Sequence, residues 1–243
     1  MKKFLLISDT HNKHLKIPKE YIENADNSID TIIHAGDMSG RGYLNEIEPF
    51  LDWYNNLNFT NKILIAGNHD FYFEHGTSPH LPGHPDDVPN LLAKYPNITY
   101  LNDSGIEIDG IKFWGSPIQP WFYSWAFNRK GSDICKHWNM IPLDTNVLIV
   151  HGPAKGYLDM VIDGESVGCP YLLGKIAELK DLSLFVCGHI HEAYGHIQFA
   201  DGATFVNASV LNHRYEMTNK PYILTIDEVT KKVISIEKPN RII

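Results

Sequence analysis

Five short runs of unbroken apolar residues constrain this chain most: FLLIS (4–8), TIIHAG (31–36), KILIAG (62–67), VLIVHG (147–152) and LFVCGH (184–189). Each is rich in β-branched or large apolar side chains and stops near a glycine or a polar residue, as a strand does. None alternates, so each reads as a strand covered on both faces. Helical candidates lie between them. NEIEPFLDWYNNL (45–57) gathers Ile47, Phe50, Leu51 and Tyr54 on one side, with Pro49 near its start; VPNLLAKY (88–95) and YLLGKIAEL (171–179) are shorter. Later segments change character. ITYLNDSGIEIDGIKFWGS (98–116) and HIQFADGATFVNAS (196–209) each carry an Asp-Gly turn, and PYILTIDEVTKKVISIE (221–237) reads as a third hairpin looping at 227–231. Strand–helix units followed by hairpins predict an α/β protein, a two-sheet β-sandwich flanked by helices. No repeat or linker interrupts the 243 residues, which read as a single domain over 1–243. The irregular stretches around 71–90 and 116–133 are expected to be active-site loops.

Charge narrows the partners. The net charge is -8 and no basic stripe is present, which argues against binding long nucleic acid. A small anionic substrate would need something locally positive, such as metal ions. Cys135, Cys169 and Cys187 are odd in number and match no CxxC pattern, as expected of reduced thiols in a cytoplasmic protein. MKKFLLISDTH reads as a first strand, because Asp9 and His11 break the apolar run and no cleavage site follows. No stretch approaches the ~20 apolar residues of a membrane span. Oligomeric state is left open.

The strand ends carry the chemistry: SDTH (8–11), HAGD (34–37), GNHD (67–70), VHGP (150–153) and CGHIH (187–191). Any one alone is an ordinary turn. Five together, at the carboxyl ends of buried strands, are where an α/β sheet gathers a ligand site. Carboxylate, imidazole and amide oxygen without thiolate suit first-row divalent metals. On an extended strand end, Asp9 and His11 at i and i+2 would point the same way, as would His189 and His191. Asp9, His11, Asp37, Asn68, His151, His189 and His191 make seven ligands, enough for two metals sharing one carboxylate. Such a pair ~3.5–4 Å apart clamps the attacking and leaving oxygens of a phosphoryl displacement.

In this order, D-x-H, GD, GNH[D/E], H-G and GHxH, the motifs resemble the calcineurin-like metallophosphoesterase superfamily. With PWFYSWAFN (120–128), GYLD (156–159), GHIHEAYG (188–195) and FVNAS (205–209) added, the chain is similar to the metallophosphoesterase domain-containing, brain-type phosphodiesterase subfamily. The resemblance implies a four-layer αββα fold and two divalent transition-metal ions, Mn first, with Fe, Zn, Ni or Co as the other candidates. It implies that Asp9, His11, Asp37 and His191 hold one metal, that Asp37, Asn68, His151 and His189 hold the other, and that Asp37 bridges. Some animal members lack the first histidine of GHxH; His189 is present here, so metal binding is expected intact. His69 would bind phosphate and protonate the leaving oxygen, with an acidic partner at Asp70 or near Asp37, and Gly67 would let the backbone turn. His34 and Asn207 would stand behind the ligands, His34 equally well as a neutral core histidine. The expected substrates are small phosphodiesters of nucleotide size, cyclic nucleotides included, attacked in line by a hydroxide bridging the metals. Trp121, Phe122 and Trp125 read either as a hydrophobic corner packing on the core or as a wall on which a base could stack, with Arg129 and Lys130 near phosphate oxygens or one of them a solvated charged tip. Alternatives are a phosphomonoesterase, a nucleotide pyrophosphohydrolase or a non-catalytic regulatory scaffold.

Overall fold

Each apolar run forms a strand in the computed structural model, which describes residues 1–24, 27–77, 83–200 and 202–239. The first part of the chain runs β1 (Lys2–Ile7), α1 (Lys19–Ile22), β2 (Thr31–Ala35), α2 (Leu44–Asn55), β3 (Asn61–Ile65), α3 (Phe71–His75), α4 (Asp87–Leu92) and β4 (Ile98–Tyr100). There follow β5 (Ser104–Ile108), β6 (Ile111–Ser116), β7 (Gln119–Pro120), β8 (Asn128–Arg129), α5 (Cys135–Trp138), β9 (Val147–Val150) and α6 (Pro170–Glu178). The last part holds β10 (Leu184–Cys187), β11 (Gly195–Gln198), β12 (Thr204–Asn207), β13 (Tyr222–Ile226) and β14 (Val233–Glu237).

Two six-stranded mixed sheets result, ordered β14-β13-β1-β2-β3-β4 and β11-β12-β10-β9-β6-β5. At the centre of the first, β1, β2 and β3 pair in parallel; in the second, β6, β9, β10 and β12 do so. Alternate residues of these strands divide between two cores. Phe4, Leu6, Ile33, Ile63, Val147, Ile149, Leu184 and Val186 meet between the sheets. Their neighbours Leu5, Ile32, Leu64, Leu148 and Phe185 face the outer, helix-bearing layers. Strands apolar at every position follow directly from this two-sided burial. Helix α2 seats Ile47, Phe50, Leu51 and Tyr54 on the first sheet, as its spacing predicts. The Tyr54 hydroxyl donates to the carbonyls of Ile32 (3.1 Å) and Ile63 (2.7 Å), so the helix is tied to two strands at once. The four-layer αββα arrangement is the observed one.

The hairpins differ from expectation in one respect. Strands β5 and β6 are joined by Asp109 (φ 51°) and Gly110 (φ 73°), both left-handed, as a two-residue hairpin turn requires. Ile98–Tyr100 does not belong to that hairpin. It pairs in parallel with β3, and the chain changes sheets between β4 and β5. Strands β11 and β12 pair antiparallel, but Asp201 of their Asp-Gly pair lies outside the described residues. Within 71–90 the chain folds α3 and the start of α4, and residues 78–82 lie outside the described residues. The 116–133 segment loops round so that β8 pairs in parallel with β7. Cys135, Cys169 and Cys187 form no disulfide, and no helix among the described residues is long and apolar enough to cross a membrane.

Candidate active site

The central strands of both sheets deliver their polar ends to one place. The Asp9 amide donates to the Gly36 carbonyl at the end of β2 (2.9 Å), and the Gly188 amide donates to the His151 carbonyl (3.0 Å). The sheets are joined there by the His189 amide, which donates to Asp9 Oδ1 (3.0 Å), and by the Ser209 hydroxyl, which donates to Asp9 Oδ2. The way the side chains are aimed corrects the reading from strand alternation. Asp9 (φ 55°), His11 (φ 38°), Asp37 (φ 56°) and His189 (φ 66°) are left-handed, not extended. Asp, Asn and His are the non-glycine residues that tolerate this region best. Sharp turns after the strands, rather than pleating, bring these groups together. Gly67 also has a different reason from the one expected. A Cβ there would lie 2.3 Å from Asp37 Oδ1 and 2.7 Å from His151 Cε1, so the need is for close approach.

Backbone carbonyls orient the imidazoles. Nδ1 of His11 faces Ser39 O (3.1 Å), that of His69 faces Gly40 O (2.6 Å), that of His151 faces Ala35 O (2.9 Å) and that of His191 faces Asn212 O (3.1 Å). A carbonyl only accepts, so Nδ1 carries a proton in each, and whenever the ring is neutral it is Nε2 that presents the lone pair. This is how second-layer carbonyls set metal-binding histidines. Those Nε2 atoms converge on two buried carboxylates: His191 lies 3.4 Å from Asp9, while His11 and His151 lie 3.6 and 3.3 Å from Asp37. Asn68 Oδ1 lies 3.1 Å from His151 Nε2. Among the described residues, three groups have ligand atoms within 4.8 Å of one another: Asp9–His11–His191, His11–Asp37–His69 and Asp37–His151–His189. His11 Nε2 is buried with no hydrogen-bond partner, an acceptor that a cation would satisfy. The donor set therefore fits divalent metal. Without one, burial opposes charge on both carboxylates, but His191 at Asp9 and His151 at Asp37 outweigh it and hold them below the usual range. Burial also opposes charge on His151, and Asp37 and Asp9 raise it to about 9. Burial dominates at His11 and His189, lowering them to about 4 and about 3.

Residues 2–193 match the family of calcineurin-like phosphoesterases. The chain belongs to that family. It is 37% identical over 242 residues to human metallophosphoesterase domain-containing protein 1, covering 92% of this chain and 71% of the human protein. The Caenorhabditis elegans UPF0046 protein K07C11.7 is 31% identical over 236 residues, covering 94% and 76%. Among solved structures, TT1561 of Thermus thermophilus matches with a TM-score of 0.63 at 11% identity, over 98% of this chain and 99% of that one, a likeness of fold. The resemblance carried by PWFYSWAFN, GYLD and FVNAS is borne out. As a calcineurin-like phosphoesterase the chain belongs to a metal-dependent family acting on phosphoesters.

In this calcineurin-like phosphoesterase the strand ends floor a cleft of about 650 Å³, within the range of small-molecule sites. His11, Asp37, Asn68, His69, His189 and His191 line it, together with Trp121, Phe122 and Trp125. Trp125 stacks on His69 with ring centres 4.1 Å apart, and Phe122 meets His189 edge-on at 5.0 Å. Arg129 is not brought into the cleft. Its guanidinium donates to Glu74 Oε1 (2.9 Å) and His137 Nε2 (3.2 Å), beside a neighbouring cavity. Lys130 sits over Trp121 (4.7 Å). Asp70 is not the partner of the His69 ring. It is fully buried and accepts from the amides of Gly67 (2.8 Å), Ser39 (3.0 Å) and Met38 (3.3 Å) and from the Ser39 hydroxyl (2.6 Å). It thereby ties the HAGD and GNHD turns together; burial and Asp37 push its carboxyl up to about 6. Asn207 donates to Ile190 O (2.8 Å) and shapes the GHIH turn. His34 lies in the core, its Nδ1 accepting from the Gly36 amide (3.3 Å). Sequence reasoning missed Tyr215, Lys155, Glu165 and Glu192, which also line the cleft. They sit outside the strand-end motifs, and only a chain already folded brings them there.

Proposed function

We propose that this protein is a phosphodiesterase dependent on two divalent cations, Mn foremost, that hydrolyses small phosphodiesters, cyclic nucleotides among them. The observation that carries the reading is the inward set of Nε2 atoms around Asp9 and Asp37 at the floor of an aromatic-walled cleft. In this reading Asp9, His11, Asp37 and His191 hold one cation, and Asp37, Asn68, His151 and His189 hold the other. Such cations supply Lewis acidity at the phosphoryl oxygens and water acidic enough to react near neutral pH. His69 does the proton work. With Nδ1–H held by Gly40 O and its ring stacked on Trp125, its Nε2, once protonated to the imidazolium, can donate to the phosphoryl group and pass that proton to the leaving oxygen. Trp121, Phe122 and Trp125 offer apolar faces to the organic groups of the ester.

Charge on the lining supports a diester over a pyrophosphate. Imidazoles apart, Lys155 is the one cationic side chain among the described lining residues, and it donates to the Ser166 carbonyl. Glu165 and Glu192 share the lining, so additional phosphate groups meet no complementary charge. The test is Mn-loaded protein on bis-p-nitrophenyl phosphate, cyclic AMP and p-nitrophenyl phosphate, with the diesters expected to turn over faster. A monoester cleaved much faster than both diesters would assign a phosphomonoesterase instead. Retention of well under about two equivalents of Mn after gel filtration would favour the scaffold reading.

A further inference from the structure

Among the described residues, three aromatic side chains lean on the imidazoles of the cleft. Trp125 takes His69 and Phe122 takes His189, both from the 116–133 segment. The third, Tyr215, comes from a different part of the chain. Its ring meets His11 at 5.0 Å and His191 at 5.1 Å, edge-on to both at 67° and 70°. Neither Trp125 nor Phe122 reaches those two imidazoles among the described ring contacts. Tyr215 therefore walls an end of the cleft that the other aromatics leave open, and at 43% exposure it keeps surface free to meet a ligand.

The turn that presents Tyr215 is tightly built. Asn212 Oδ1 accepts from the amides of Arg214 (2.9 Å) and Glu216 (3.0 Å), and the Tyr215 amide donates to Asn212 O (2.8 Å). Asn212 O also faces Nδ1 of His191, so one residue orients an imidazole and sets the turn beside it. Tyr215 stands at φ 59°, a conformation that glycine or asparagine would adopt with far less strain. A bulky aromatic held there points to a use for its ring.

We propose that Tyr215 is a specificity residue that touches substrate, its ring taking a face or edge of a planar group of the ester at the His11–His191 end of the cleft. The proposal rests on the phosphodiesterase reading for its ligand class. The test is calorimetric affinity of the Mn-loaded protein for 5′-AMP and for inorganic phosphate. Tyr215→Asn removes the ring with the least backbone strain, and Tyr215→Leu keeps bulk without a π face. Each should weaken AMP by about fivefold or more while leaving phosphate within about twofold. Tyr215→Phe should match wild type for both. AMP affinity unchanged in the Asn and Leu variants overturns the proposal. So does an equal loss for phosphate, which would make the ring a mere support for His11 and His191. Wild-type protein that binds phosphate but not AMP overturns it as well. Hydrolysis of bis-p-nitrophenyl phosphate is measured in parallel. If it is absent, the diesterase reading falls, while the ratio of the two affinities still judges Tyr215.

Discussion

His34, at the end of β2, is fully buried, and its hydrogen bonds fix its proton. Nδ1 accepts from the Gly36 amide, so Nε2 is the protonated nitrogen and donates to Thr10 Oγ1 (3.1 Å). Burial lowers its pKa from 6.5 to about 3. Between those values the unfolded chain binds a proton that the native state refuses. Its stabilising contribution is therefore complete above pH 6.5 and is lost as pH falls toward about 3, by up to ~1.4 kcal/mol per pH unit. Urea denaturation of His34→Gln across pH 4–7 should give a flatter acid limb than wild type; an unchanged slope would contradict the assignment. At His69 the expectation is kinetic. His69→Ala should lower turnover by about 10²-fold or more, most for alkyl leaving groups of high pKa, with Mn content unchanged. An equal loss for good and poor leaving groups would remove its role as the acid. At this scale residue type was the legible part. Asp, His and Asn after buried strands announced the cluster, but the left-handed backbone that aims them, the capture of Arg129 by Glu74 and the arrival of Tyr215 depend on tertiary contacts.

Among the elements, strands apolar on both faces and the stripe of α2 were legible because burial writes itself into spacing. The sheet change between β4 and β5 was not. A run of extended residues with a turn signal says that strands form, not which sheet they join. Glycines show the same limit. Gly67, just beyond β3, has Asp37 Oδ1 and the Asp37 amide 2.3 and 2.5 Å from where a Cβ would sit, too close for any side chain. Gly174, exposed within α6, has nothing within 4 Å. The same substitution should therefore act in opposite directions. Gly67→Ala should destabilise by about 1–3 kcal/mol and reduce Mn uptake, because Asp37 must move. Gly174→Ala should stabilise by roughly 0.5–1 kcal/mol through its better helix propensity. Thermal unfolding of both variants, with metal analysis, checks the pair, and a Gly67→Ala protein as stable as wild type would show that the two turns are not packed as described.

For the molecule as a whole, the site is where two sheets are joined. Asp9, His11, Asp37 and Asn68 come from the ends of β1, β2 and β3 in one sheet, while His151, His189 and His191 come from β9 and β10 in the other. A cation held among them links the sheets, and since the unfolded chain offers no such cluster, binding adds directly to stability. At a free concentration about 100 times Kd, a single bound cation contributes roughly 2.7 kcal/mol. For a chain of this size that corresponds to a rise in Tm of roughly 5–10 °C. Protons compete with the cation. In the metal-free protein burial opposes the charge of His151, yet Asp37 and Asp9 raise it to about 9, so at pH 7 it is protonated and must lose that proton to become a ligand. Affinity therefore falls as pH falls. Chelator-treated protein titrated with Mn should gain more in Tm at pH 8 than at pH 6, with proton release visible as a dependence of the binding heat on the buffer's ionisation enthalpy. A Tm indifferent to Mn, or a gain equal at both pH values with no proton release, would mean that these carboxylates and imidazoles answer only one another.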